Sequence, residues 1–439
     1  MSQLSASHLT ATIDQLLSAH ERLLVTRSVE TIATSLDAVV ARFLTPTSVE
    51  HQEAVAGLPT ETGLSPEMIR HTLPLLFATY RCDHLLRLLQ DELGSSDALD
   101  EGIRLPGKWR KAYGPSLVTQ VLAGNIPGAG LDGIIFALLV KAATLVKTAS
   151  SATLLPTLFA RSLSVVDPDL GACLAVVTWP GGHTALEDIA FARAEVVVAS
   201  GAEASLTAIR TRVRGRFIGY GHKVSFNVIS KEALTTDVAD LARRTAYDVA
   251  LFDQQGCLSP QLVYVETGGV ITPQAFAALL AHELHHWQQM LPRGRIARDA
   301  SLAIRRVRDD AEWQALAGEE IVLHASSSGT DWTVIYEADP TFAPSPLYRT
   351  VRVKPLDNIA RLASLLQPWR PYLEAVGVAA PPAKREAVAQ ILGQAGISRI
   401  CQIGTMQTPP LSWRHGGRPR IADLVRWVES EGELVMSSS

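Results

Sequence analysis

The chain has 439 residues, more than one hydrophobic core usually serves, so two domains are expected, with three as the alternative. Hydrophobic residues make up 47%, charged residues 19%, and the formal net charge is -4, which describes a soluble globular chain without the basic footprint of a nucleic-acid binder. The four cysteines, Cys82, Cys173, Cys257 and Cys401, show neither paired nor metal-type spacing, so a reduced, cytoplasmic protein without disulfides is expected.

Met1 to Glu30 is polar throughout and has no apolar h-region, so no secretory signal is expected. Apolar residues recur at helical spacing from Leu9 to Phe43 and again from Pro66 to Leu93, which predicts a mainly helical region over residues 1–105. That region carries no recognisable chemistry. It is suited to covering a sheet edge, shaping an acyl-binding surface or packing against another subunit.

After Pro106 apolar strand-like runs alternate with helical ones, at Leu117 to Ala123, Ile134 to Val140, Ala143 to Lys147, Leu154 to Leu163, Leu174 to Trp179, Ala185 to Ala192 and Val196 to Ala199. Alternation of this kind predicts βαβ units and a parallel sheet, with ligands at the carboxyl ends of the strands. Ile134 to Val146 is apolar enough to attract notice, but Lys141 and the flanking glycines keep it short of a membrane span. Residues 106–230 are therefore expected to form a nucleotide-binding α/β unit. Residues 231–410, where strands near Ile321 to His324, Thr333 to Tyr336, Thr350 to Val353 and Ile400 to Ile403 alternate with helices, are expected to form a second one. Residues 411–439 are a C-terminal segment whose serine-rich end, Ser430 to Ser439, is expected to lack fixed structure.

Three strand-to-helix junctions offer ligand contacts. In Gly124-Asn125-Ile126-Pro127-Gly128-Ala129-Gly130 the glycines permit close backbone approach and the Asn125 carboxamide can donate to an oxyanion; a plain tight turn reads equally well. Lys147-Thr148-Ala149-Ser150 sets a cation and hydroxyls at a strand end, a ribose or phosphate site or a solvated lysine. Ser200-Gly201 opens a small-residue turn whose free amides can face phosphate.

The stretch Phe252-Asp253-Gln254-Gln255-Gly256-Cys257-Leu258-Ser259-Pro260 sets one cysteine among polar and small residues just before an apolar run that reads as a buried strand. A thiolate presented there can attack carbonyl carbon and carry an acyl group between two steps; a buried structural thiol is the plainer alternative. His282-Glu283-Leu284-His285-His286 satisfies the H-E-x-x-H pattern of zinc peptidases, yet its segment reads as an amphipathic surface helix and its α/β surroundings are unlike a zincin. No metal site is expected.

Gly124-Asn125-Ile126-Pro127, Lys147 with Ser150, Gly221-His222-Lys223-Val224-Ser225 and Gln255-Gly256-Cys257 follow the order and approximate spacing of the aldehyde dehydrogenase superfamily. Within it the chain resembles the LuxC-type acyl-CoA reductases, fatty acid reductases known from bacterial bioluminescence. The residues that carry this are Phe252 to Pro260, Tyr348-Arg349-Thr350-Val351-Arg352-Val353 and His415-Gly416-Gly417-Arg418, and the resemblance spans about Pro106 to Trp427.

The resemblance implies an aldehyde-dehydrogenase-like fold with a Rossmann-type cofactor domain and an α/β catalytic domain. It implies Cys257 as nucleophile, Asn125 with the Cys257 amide as oxyanion hole, Lys147 at the adenosine ribose, and Ser200 with Gly201 near the pyrophosphate. Hydrolytic relatives carry a water-activating glutamate four residues before the lysine of their Gly-Gly-Lys-Ser-Pro motif, where this chain has Gly219. The acyl-enzyme is therefore expected to outlast hydrolysis. NAD-preferring relatives carry a carboxylate three residues after the ribose lysine, where this chain has Ser150, so NADPH is expected. The implied reaction is reduction of a fatty acyl-CoA or acyl-protein thioester to an aldehyde, and relatives of this kind are usually dimers or tetramers. Oxidation of aldehydes on the same fold, zinc peptidase chemistry and a silent scaffold remain as alternatives.

Overall fold

Three serines, each three residues ahead of a backbone N–H that it accepts, start three of the N-terminal helices. Ser28 caps Val29–Leu44 through Thr31 N, Ser48 caps Val49–Thr62 through His51 N, and Ser65 caps Pro66–Phe77 through Met68 N. A fourth helix, Cys82–Leu93, ends on Gly94 at φ 84°, a left-handed cap that favours glycine. The structure, a computed structural model, describes residues 4–124, 126–149, 151–235 and 237–431. Asn125, Ser150 and the tail beyond Glu431 lie outside the described residues.

The strands fall into three sheets. β1 (Ile103–Leu105) and β2 (Lys108–Tyr113) form an antiparallel pair. β3 (Leu117–Val121), β4 (Ala143–Thr148), β5 (Leu174–Thr178), β6 (Val196–Ser200) and β7 (Arg216–Tyr220) form a fully parallel sheet in the order β5-β4-β3-β6-β7. The chain steps outward from β3 to β5 and then returns to β6 on the other side of β3. That reversal is the topological switch point at which such sheets bind ligands.

β8 (Val224–Ile229), β9 (Pro260–Glu266), β10 (Ile321–Ala325), β11 (Thr333–Glu337), β12 (Thr350–Leu356), β13 (Leu373–Ala379) and β14 (Arg399–Gln402) form the second sheet in the order β10-β11-β12-β9-β8-β13-β14. Only β10 runs antiparallel, at one edge. β15 (Arg426–Glu431) returns to pair antiparallel with β2. The two large sheets meet between β7 and β8, across the short link 221–223. β8, which the sequence reading assigned to the nucleotide-binding unit, pairs with β9 and β13 in the second sheet. The second sheet also holds a strand that the sequence reading did not place, β13.

The N-terminal helices cover both faces of the five-stranded sheet. Val29–Leu44, Pro66–Phe77 and Cys82–Leu93 pack with the sheet's own helices Leu131–Leu139 and Leu154–Val166 in one large apolar core, where Phe43 stacks on Phe77 at 4.3 Å. Ala6–Ala19 packs with Thr184–Ala192 on the other face. Half-buried carboxylates fasten these layers: Glu61 accepts from Thr153 N and Leu154 N at the start of Leu154–Val166, and Glu92 accepts from Arg420 N, Ile421 N and Ala422 N. No described helix is long and apolar enough to cross a membrane.

Candidate active site

The carboxyl end of β7 leads through residues 221–223 straight into the amino end of β8, so these ends of the two large sheets adjoin. On the first edge, Val121 of β3 is flanked by Lys147 of β4 and Ala199 of β6. Lys147 and Ser200 therefore stand on either side of the switch point, about 10 Å apart across two strand spacings. Lys147 is 9% exposed and forms no hydrogen bond or ion pair among the described residues; burial lowers its pKa, against a smaller opposing pull from Glu187. An ammonium on a largely buried side chain, without a partner among the described residues, fits a ligand that brings hydroxyl or phosphate oxygens.

The loops around this edge leave room. A Cβ added at Gly181, Gly182 or Gly201 would meet nothing within 4 Å. At Gly124 the reverse holds: a Cβ would lie 2.9 Å from the Ala149 Cβ and from the Ser151 Oγ, so only glycine lets this loop pass the one after β4. A small cavity lined by Ile126, Pro127, Gly128, Leu155 and Pro156 lies under the same loop, and a larger one beside Tyr113, Arg216 and Arg426 lies at the far end of the sheet. Neither touches Cys257.

On the second edge, Cys257 sits in the turn that enters β9. Its backbone is held by Ser225, which is fully buried: Ser225 Oγ donates to Cys257 O at 2.7 Å and accepts from Ala375 N at 3.1 Å. The register slips on both sides of Ser225, against β9 and against β13. One hydroxyl thus pins the nucleophile turn where two irregularities meet. Cys257 is half-buried as a residue and packs against Leu258, Ala375 and Met406, together with Cys401 and Trp413. No backbone carbonyl among the described residues accepts its N–H. That amide is free to donate to a developing oxyanion. Burial, followed by the charges of Glu374 and Asp132, pushes the Cys257 thiol up to about 12.

Upstream of Cys257 the chain makes a turn that nothing in its residue types announces. Phe252, Asp253 and Gln254 all have positive φ, 51°, 50° and 64°, and so do Leu347, Tyr348 and Arg349, at 68°, 53° and 62°. Left-handed geometry at a residue with a side chain costs about 1 kcal/mol or more. The two runs hold each other in place. The Arg349 guanidinium pairs with Asp253 and donates to Gln288 Oε1 and Leu291 O, while the Gln254 amide bonds Pro260 O, Thr350 O and Thr350 N. These are the residues on which the resemblance rests, and their structural task is to set the Cys257 turn in one orientation.

The C-terminal segment closes the crevice. His415 stacks on Tyr220, the last residue of β7, at 4.3 Å and 10°, and on Trp413 at 4.8 Å. Arg420 pairs with Asp132 at the start of Leu131–Leu139 and lies over the rings of Phe136 and Trp413. The sequence reading assigned no role to Ser225, Tyr220, Glu374, Trp413 or Arg420; their contacts join residues up to 328 positions apart. Of the expected site residues, the structure sets Lys147, Ser200 and Gly201 on one wall and Cys257 on the other. Asn125 and Ser150 lie outside the described residues.

At Gly219 a Cβ would lie 2.8 Å from the Phe217 ring, on the face of β7 opposite Tyr220, and Tyr220 is the residue that faces the Cys257 wall through His415. His282 and His286 are exposed on the helix Pro273–Met290, and no group of three potential metal ligands exists among the described residues.

Known proteins fit this arrangement. The chain is 26% identical over 365 residues to a long-chain acyl-protein thioester reductase of Photorhabdus laumondii, covering 79% of this chain and 70% of that protein. It is 24% identical over 385 residues to the protein of the same name from Aliivibrio fischeri, covering 85% and 76%. Among solved structures it superposes on an oxidoreductase from Marinobacter aquaeolei with a TM-score of 0.78 at 13% identity, covering 98% and 91% of the two chains. It superposes likewise on the putative aldehyde dehydrogenase PutA of Anabaena variabilis, with a TM-score of 0.72 at 15% identity, covering 100% and 95%. The fold is that of the aldehyde dehydrogenases, as expected. The model of the acyl-CoA reductase (LuxC) family matches residues 24–427, and the chain belongs to that family.

Proposed function

We propose that this protein reduces a long-chain acyl thioester to the aldehyde through a thioacyl intermediate on Cys257, with NADPH as reductant. The observation that carries the reading is the setting of Cys257: a thiol on a turn fixed by two interlocked left-handed runs, at the amino end of the sheet that the chain enters directly from the carboxyl end of a nucleotide-type sheet. The Cys257 sulfur attacks the acyl carbon and the donor thiol leaves. The Cys257 amide, with the Asn125 carboxamide, receives the negative charge that builds on the carbonyl oxygen. Lys147, Ser200 and Gly201 hold the cofactor, which when bound supplies the two reducing equivalents that release the acyl group as aldehyde. Ser150 in place of a carboxylate leaves a 2'-phosphate unopposed, which favours NADPH over NADH.

The face of β7 that carries Gly219 is turned away from Tyr220 and His415, so no carboxylate from that strand position draws water onto the thioester and the acyl group waits for reduction. The donor is an acyl-protein or acyl-CoA thioester, in keeping with the names of the relatives, and the enzyme works in the cytoplasm, where four unpaired cysteines stay reduced. Mixing the protein with long-chain acyl-CoA and NADPH tests the reading. Loss of the nicotinamide absorbance with one aldehyde per NADPH is expected, and Cys257→Ala abolishes it. Unchanged turnover in Cys257→Ala, or formation of NADPH from aldehyde with free acid as product, refutes it.

A further inference from the structure

The proton of the Cys257 thiol has no evident destination in the scheme above. A thiol pushed up to about 12 is almost wholly protonated at neutral pH, so attack on a thioester needs a base. The position that supplies a carboxylate in hydrolytic relatives is Gly219, which has none.

The amino edge of the seven-stranded sheet supplies another carboxylate. Cys257 precedes β9, Ser225 lies near the start of the adjacent β8, and Glu374 lies near the start of β13 on the other side of β8. The backbones of the Cys257 turn and Glu374 are thus about two strand spacings apart, or about 10 Å, with Ser225 between them. Glu374 and Ala375 together stand opposite Ser225, because β13 carries two residues there where β8 carries one. An irregularity of this kind re-aims a side chain, and Ala375 is already packed in the Cys257 cluster.

Glu374 is fully buried and only half satisfied. One carboxylate oxygen, Oε1, accepts from Ser398 Oγ and from Gly416 N, both at 2.8 Å; the other, Oε2, is buried without a partner among the described residues. The nearby Arg399 guanidinium donates elsewhere, to Met406 O and Thr405 O. A buried carboxylate oxygen left open is costly, and it calls for a reason. The indole N–H of Trp413, which packs in the same cluster as Cys257, is also buried without a partner. An open acceptor, on the residue next to Ala375, and an open donor, on Trp413, therefore lie among the residues packed around the Cys257 turn, and the Glu374 charge reaches the thiol.

We propose that Glu374 is a catalytic residue of this reaction, whose free oxygen takes the Cys257 proton as the sulfur attacks and hands it to the departing donor thiol. The inference rests on the reading of Cys257 as nucleophile. The Cys257 sulfur–carbon bond forms, the donor sulfur–carbon bond breaks, and one proton passes from Cys257 through Glu374 to the donor, with no change in oxidation state. Asp132, the other carboxylate whose charge reaches Cys257, is committed to Arg420. The remaining charged or titratable groups around this crevice are Asp248, which accepts from Met406 N, Arg399 and Cys401 from β14, Tyr220 at the end of β7, Lys223, and His415 and Arg420 from the C-terminal segment.

The test is the single-turnover rate of Cys257 acylation by long-chain acyl-CoA, without reductant, as a function of pH. Glu374→Gln keeps an acceptor for Ser398 and Gly416 and removes the base. Wild type is expected to acylate at a rate that is level across neutral pH. Glu374→Gln is expected to be about 100-fold slower at pH 7, with a rate that climbs tenfold per pH unit. Should Glu374→Gln not fold, Glu374→Asp carries the test, acylating more slowly but keeping the level neutral region. An unchanged rate in Glu374→Gln, a uniform loss that preserves the wild-type profile, or a Glu374→Asp profile that climbs tenfold per unit overturns the proposal. If wild type forms no adduct on Cys257, the nucleophile reading itself fails; if wild type acylates normally and Glu374→Gln matches it, only the role of Glu374 fails.

Discussion

Asp253 and Arg349 form an ion pair with 2.7 Å between Oδ1 and Nη2, and neither side chain is more than 2% exposed. Each sits in a run of three left-handed residues, so the pair ties together two unfavourable backbone stretches that come from distant parts of the chain. Gly294 N donates to the second carboxylate oxygen of Asp253, which leaves neither oxygen open. Removing one partner of such a pair strands a charge in the interior.

Arg349→Met is therefore expected to destabilise the protein by about 3 kcal/mol and to reduce Cys257 acylation more steeply than cofactor binding. Denaturant unfolding followed alongside cofactor fluorescence checks both halves. A variant with wild-type stability would remove the ion pair from the account.

Because burial raises the Cys257 thiol to about 12, its thiolate fraction keeps rising with pH beyond the range in which an ordinary cysteine has finished ionising. The sign is direct: the upward shift leaves the sulfur protonated at neutral pH, and each added pH unit raises the thiolate about tenfold. In Glu374→Gln, where no base assists, alkylation of Cys257 by iodoacetamide is expected to climb in that way from pH 7 to pH 10 without levelling near 8.5. A plateau near 8.5 would show an ordinary, solvent-exposed thiol.

Much of this was legible in the sequence, and the reasons for the remainder are physical. The strands β3, β4, β5 and β6 announce themselves because a parallel sheet covered on both faces needs near-continuous apolar runs. The Cys257 turn stands out because its residues are small and polar just before such a run. β13 escaped notice: Leu373-Glu374-Ala375-Val376-Gly377 mixes a carboxylate with residues of low strand propensity, and only its neighbours in the sheet make it a strand. The left-handed runs gave no local sign either, since none of Phe252 to Gln254 or Leu347 to Arg349 is a glycine or asparagine. His415 on Tyr220 and Arg420 on Asp132 are contacts between remote segments, which no spacing rule foretells.

Gly219 bears on how the reductive direction is kept. A Cβ there would press on the Phe217 ring at 2.8 Å, on the face of β7 away from Tyr220 and His415. Gly219→Glu is expected to lose about 1 to 3 kcal/mol of stability through overpacking, without turning the enzyme into a thioester hydrolase. Release of free fatty acid, measured by chromatography, should stay at the wild-type background; stoichiometric acid would show that the side chain does reach the acyl group.

Lys147 separates cofactor binding from acyl chemistry. Lys147→Met removes an ammonium that has no partner among the described residues from a largely buried side chain, so stability should hold or rise slightly, while the KM for NADPH rises by about tenfold or more. Acylation of Cys257 in the absence of cofactor should not change. Equal losses in both steps would place Lys147 outside the cofactor site.

The most direct measurement is intact-protein and peptide mass spectrometry after brief exposure to long-chain acyl-CoA without reductant. The account predicts one acyl group per chain, carried by the peptide containing Cys257, persistent in buffer and discharged as aldehyde on addition of NADPH. No adduct, or an adduct on Cys82, Cys173 or Cys401 that NADPH leaves in place, would contradict it.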